Sequence, residues 1–115
     1  MAQFILMLHE NPAMFAELTP EEMQQVVARY GAWGKALAEK GHYVGGHKLT
    51  DEGGRQMRKA KGALGVTDGP YSEAKEVIGG LFIVEASDYD AAVALAADCP
   101  HLDKGWIEVR RIDRA

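Results

Sequence analysis

Cysteine is nearly absent: the chain has one, Cys99. One thiol excludes an internal disulfide and a cysteine-based zinc cluster, and it fits a reducing compartment, so the expected location is cytoplasmic. Basic charge is in the minority, with 13 Lys and Arg against 17 Asp and Glu and a net charge of −4. That balance provides no general field for nucleic acid or anionic lipid. The local exception is Arg55, Arg58, Lys59 and Lys61, read as a solvated strand face because surface Lys and Arg usually need no partner. The apolar run at residues 4–8 is far too short to span a bilayer, and no cationic leader precedes it. GxGxxG, P-loop and nucleophile-elbow motifs are missing, and no two histidines stand at close metal-ligand spacing. Neither a cofactor nor a metal is expected.

A length of 115 residues with 47% hydrophobic and 26% charged content fits one globular domain over 1–115. Residues 4–8 read FILML and end at His9-Glu10-Asn11-Pro12, a short strand that does not alternate and therefore has both faces covered. Thr19-Pro20-Glu21-Glu22 starts a helix: Thr19 caps, Pro20 sacrifices no needed donor, and Glu22 completes a capping box. Met23, Val26, Val27, Tyr30, Trp33 and Leu37 follow on one helical face, and Gly41 ends it. Residues 42–67 read as a glycine-rich meander of three strands, 42–49, 55–60 and 63–67, placed at a sheet edge. Ser72 to Glu76 forms about one helical turn. A second continuous apolar strand follows at 81–84. Ser87 caps a helix over 88–98, with Tyr89, Val93 and Ala96 or Ala97 inward, and a last strand runs over 106–112.

The order is β-α-β-β-β-β-α-β. Without the extra hairpin it is the ferredoxin-like pattern, an α+β fold with two helices on one face of an antiparallel sheet. Two helices leave the other face open, yet strands 4–8 and 81–84 are apolar on both sides. A second copy about a two-fold axis is the simplest cover, giving a homodimeric α+β barrel. In the last strand Ile107 and Val109 should face the helices. Trp106, Glu108, Arg110 and Ile112 then face the interior or the seam, where Glu108 and Arg110 need partners.

Asp68-Gly69-Pro70 is most simply a turn. The functional alternative has Asp68 projecting from a strand end as a base or as the orienter of a histidine. With the meander in register, Leu49, Arg55 and Asp68 fall opposite one another and His47 lies two residues in, on the same face. Asp68 and His47 are thus the candidate catalytic pair, against a reading of His47 as a rim histidine bonded to backbone. His9 and His101 read as loop residues at a barrel mouth. Cys99, at a helix C-terminus, faces a negative dipole end and reads as a packed thiol.

The stretch Thr67-Asp68-Gly69-Pro70-Tyr71-Ser72-Glu73-Ala74-Lys75-Glu76 resembles the hallmark of the DGPF-type branch of YCII-related proteins, with Tyr71 where Phe is usual. The resemblance continues through Gly79-Gly80, residues 82–86, Cys99-Pro100-His101 and residues 107–110, with Arg111 where many relatives have proline. It implies a dimeric ferredoxin-like α+β barrel and no established activity. Members resemble small enzymes of the same architecture, and their genes often accompany extracytoplasmic-function sigma factors. A His–Asp dyad suggested for the wider group has no certain place here. The recurrence of Lys75-Glu76 implies a role tying that loop to Arg110 through a buried Glu76–Arg110 contact. Arg55, Tyr71, Glu76 and Arg110 are the candidate substrate-binding residues. Two functions stand side by side: a small cofactor-independent enzyme using His/Asp acid–base chemistry on a small organic molecule, and a non-catalytic metabolite- or protein-binding module linked to sigma-factor regulation.

Overall fold

The computed structural model of the chain describes residues 1–50, 52–68 and 76–114. Strand β1 (Ala2–Glu10) leads through a 3-10 turn at Pro12–Met14 to helix α1 (Pro20–Glu39). Strands β2 (Tyr43–Lys48), β3 (Arg55–Ala60), β4 (Ala63–Asp68) and β5 (Val77–Ala86) follow. Helix α2 (Tyr89–Ala96), a 3-10 turn at Pro100–Asp103 and strand β6 (Gly105–Arg111) complete the chain. Four strands form an antiparallel sheet in the order β2-β5-β1-β6, the ferredoxin-like order, and β3 pairs with β4 in a second, two-stranded sheet. The α+β class is as expected. No helix among the described residues is long and apolar enough to cross a membrane.

The capping box forms as the sequence predicts. Thr19 Oγ1 accepts from the Glu22 amide at 3.1 Å, and Glu22 Oε1 accepts from the Thr19 amide at 3.1 Å. Donation from the Thr19 amide, and after it from the Thr19 hydroxyl, favours the carboxylate and holds the Glu22 carboxyl below its ordinary range. Along α1, Met23, Val26, Tyr30, Trp33 and Leu37 keep one row turned to the sheet, with Trp33 and Leu37 buried. Val27 does not belong to that row. It lies 100° round from Val26 and is exposed.

Three other readings change. The second helix is capped by Asp88, not Ser87: the Asp88 carboxylate accepts from the Ala91 amide at 2.8 Å. Ala92 and Ala96 are its buried side, while Tyr89 and Val93 are exposed. Small residues let this helix lie close on the sheet. The expected three-strand meander splits, because β2 finds a longer partner. It pairs along β5, from Tyr43↔Val84 to Lys48↔Gly80, leaving β3 and β4 to each other. Lys61 and Gly62, with φ of 53° and 79°, make the tight turn between them. The expected helical turn at Ser72 to Glu76 falls mostly outside the described residues.

Phe4, Leu6, Val84 and Ala86 meet Trp33, Leu37, Ala92, Ala96 and Cys99 in one buried cluster, with Ile107 and Val109 packed against it. Period-two alternation sends the intervening residues to the other face. Ile5, Met7 and His9 therefore share that face with Leu81 and Ile83 of β5 and with Trp106, Glu108 and Arg110 of β6. No helix among the described residues covers it, and its four central aliphatic side chains remain only partly buried.

Candidate functional site

The helix-free face is where polar groups converge. In the β1–β6 register His9 lies opposite Trp106, and Met7 lies opposite Glu108, so Glu108 is the diagonal neighbour of His9. His9 Nε2 and Glu108 Oε1 are 3.0 Å apart, with the imidazole 16% and the carboxylate 36% exposed. The His9 ring also stacks on the Trp106 indole, with centroids 3.8 Å apart and planes 4° from parallel. Trp106 in turn donates its Nε1–H to Glu76 Oε2. Carboxylate and indole thus fix the imidazole in two directions. Arg110 Nη1 stands 3.9 Å from Glu108 Oε2 and completes the row.

Behind His9 the backbone is held from the core. His101, fully buried, places Nε2 at 2.7 Å from the His9 carbonyl oxygen and Nδ1 at 2.7 Å from the Tyr30 hydroxyl. A carbonyl only accepts, so Nε2 carries the proton and Nδ1 accepts from Tyr30. Burial pushes the Tyr30 phenol above its ordinary range, which keeps it the donor in this bond. Gly105 lies beneath, where a Cβ would collide with the His9 carbonyl and the His101 ring. An open cleft of about 320 Å³ is lined by Trp106 with Glu10, Met14, Glu76, Asp103 and Lys104.

Burial likewise raises the Cys99 thiol. A neutral thiol and phenol stabilise the fold fully below the pH at which the unfolded groups ionise. Their ordinary values are 9.0 and 10.0. Above those values the unfolded chain loses protons first, so stability falls as pH climbs toward the higher folded values. The urea midpoint should therefore decline between about pH 9 and 11, with a shallower fall in Cys99→Ala over the first part of that window.

The sequence-derived residues are distributed differently from this cluster. Asp68, at the end of β4, is 3.1 Å from Arg55 Nη1 across the β3–β4 ladder, and both side chains are largely exposed. The expected register between Arg55 and Asp68 holds. His47 is on β2 in the other sheet, opposite Leu81, so its face is the helix-free one. The structure brings Asp68 to Arg55 and does not place His47 in the same sheet. Glu76 and Arg110 are exposed and engage Trp106 and Glu108 respectively, in place of the buried contact with each other. Tyr71 lies outside the described residues. His9 and His101 read as loop residues from the sequence, but His9 lies within β1 and His101 is buried, and only the antiparallel register of β1 with β6 reveals the His9–Glu108 pair. The unpaired Glu108 on the mixed side of β6 was the available signal.

A family model for the YCII-related domain matches residues 2–114, essentially the whole chain. No curated protein matches the sequence.

Proposed function

The chain belongs to the YCII-related family, and from that premise we propose that it acts as a homodimer whose helix-free sheet faces enclose a site for a small organic molecule, with the His9–Glu108 pair moving a proton. The observation that carries this reading is the 3.0 Å contact between His9 and Glu108 on a face that is apolar at its centre. Glu108 accepts from His9 Nε2–H, and the proton-accepting function then passes to Nδ1. Glu108 stabilises the imidazolium once the proton has arrived, and stacking on Trp106 holds the ring in place while it does so. Arg110, beside Glu108, supplies a cation for an anionic group of the ligand.

His47 enters the same site from the opposite rim. The row His47, Leu81, Met7, Glu108 crosses the sheet. Three strand spacings separate its ends by about 14 Å, so His47 serves the far end of a bound molecule and does not pair with Glu108. Asp68 and Arg55 belong to the β3–β4 hairpin and would reach His47 only from outside its sheet. A cytoplasmic location and a DGPF-type assignment remain part of this proposal, supported by the single cysteine and the motif around Asp68.

The test is proton exchange in D2O by proton NMR, using a panel of enolisable ketones, keto acids and lactones. At least one compound should lose a C–H signal in the presence of the protein, and His9→Gln should slow that loss by about 10²-fold or more. Exchange that persists unchanged in His9→Gln would overturn the role of His9. Binding without exchange across the panel would make the protein a binding module, and the acid–base reading would fall.

A further inference from the structure

The β3–β4 hairpin stands apart from the body. Among the described residues its strands pair only with each other, and every residue in them except Gln56 is exposed. Cross-strand partners share a face. One side therefore carries Arg55 with Asp68, Met57 with Val66, and Lys59 with Leu64. Met57, Leu64 and Val66 are 65%, 55% and 51% exposed, three large aliphatic groups in one stripe. A lone two-stranded ribbon is marginal in water and needs a surface to pack on. The radius of gyration, 16.1 Å, exceeds the roughly 13 Å of a compact domain of this length, as a projecting arm requires.

Charge identifies what the arm meets. Residues 55–68 hold four cations and one carboxylate, net +3, on a chain of net −4. The remaining residues therefore carry −7. A surface that suits this arm is apolar and acidic, and the body of the same protein is acidic. Nucleic acid offers the right charge, but it would have to approach against that body, and it offers nothing to the aliphatic stripe.

We propose that the β3–β4 arm is a clasp that lies on a second copy of this chain, with the Met57–Leu64–Val66 side against that copy's surface and the arm's cations against its carboxylates. The clasp rests on the homodimer proposed above and adds a second, separate contact to it. Six-residue strands give the arm a length of about 20 Å, enough to cross the rim between two stacked sheets. Under a two-fold axis each copy gives one arm and receives one.

Sedimentation equilibrium of the full chain tests this with two double variants, K59E/K61E and M57S/V66S. Both should raise the dimer Kd by about tenfold or more in about 50 mM NaCl; at about 500 mM the charge variant should approach wild type while the apolar variant does not. Far-UV circular dichroism should be unchanged, since these side chains are exposed within their own copy. If both variants keep the wild-type Kd, the clasp is wrong and the sheet-face dimer stands. If wild type is a monomer up to about 100 µM, a concentration well above that of a specific dimer, both proposals fail. Wild-type binding to a duplex DNA oligonucleotide that K59E/K61E abolishes, with dimerisation unaffected, would assign the arm to nucleic acid and overturn the clasp.

Discussion

Phe4→Ala should destabilise the fold by about 3–5 kcal/mol, lowering Tm by roughly 12–20 °C. Phe4 is fully buried in the central strand β1 and meets Tyr89 edge to ring, with centroids 5.0 Å apart. It shares the cluster with Leu6, Val84 and Ala86 on the sheet and with Trp33 and Leu37 from α1. Neighbours on two sheet strands and on both helices cannot all close in on a void, so the cost includes a cavity as well as lost burial. Total stabilities of single domains are about 5–15 kcal/mol, and the variant therefore sits near the unfolding threshold. Thermal and urea unfolding measure it directly. A loss under about 1 kcal/mol would mean that β1 does not anchor the core.

Ile83→Lys should turn a dimer into a folded monomer. Ile83 pairs with Ile5 in the middle of the helix-free face, beside Leu81 and Met7. Within one copy it is only partly buried, so a lysine can extend its ammonium to water there. Between two faces it cannot. A buried, unpaired ammonium costs several kcal/mol, and the two-fold axis places one in each copy. The dimer Kd should rise by about 10³-fold or more, while circular dichroism keeps the wild-type spectrum. A variant that remained dimeric would show that this face is not the interface.

The two predictions concern opposite sides of the same strands, and the helix-covered side was legible in the sequence alone. FILML at residues 4–8 has no polar alternation, and neither does the core of β5. Runs of that kind predict two covered faces, and the order of elements assigns one cover to the helices. The capping box at Thr19 marked the start of α1 to the residue. Helix faces were read less well where two apolar neighbours competed: Val26 and Val27 cannot both turn inward, and on α2 the two alanines took the buried side from Val93. Size does not decide such cases.

Strand pairing was the larger difficulty. A glycine-rich stretch with turn residues at 50–54 is compatible with a meander, but β2 gains more by joining β5 inside the main sheet. That choice moved His47 away from Asp68. It left the Arg55–Asp68 match intact because the Lys61-Gly62 turn sets the register of that hairpin locally. The His9–Glu108 pair depends on residues 99 positions apart. Nothing local marks it, and only the antiparallel alignment of the first and last strands brings the two side chains together.

The central claim is that a second copy closes the helix-free sheet face. Sedimentation velocity of the wild-type chain at about 10 µM, a concentration at which specific protein complexes remain associated, tests it most directly. One species of twice 12.5 kDa is the predicted result. A single species of 12.5 kDa would contradict it.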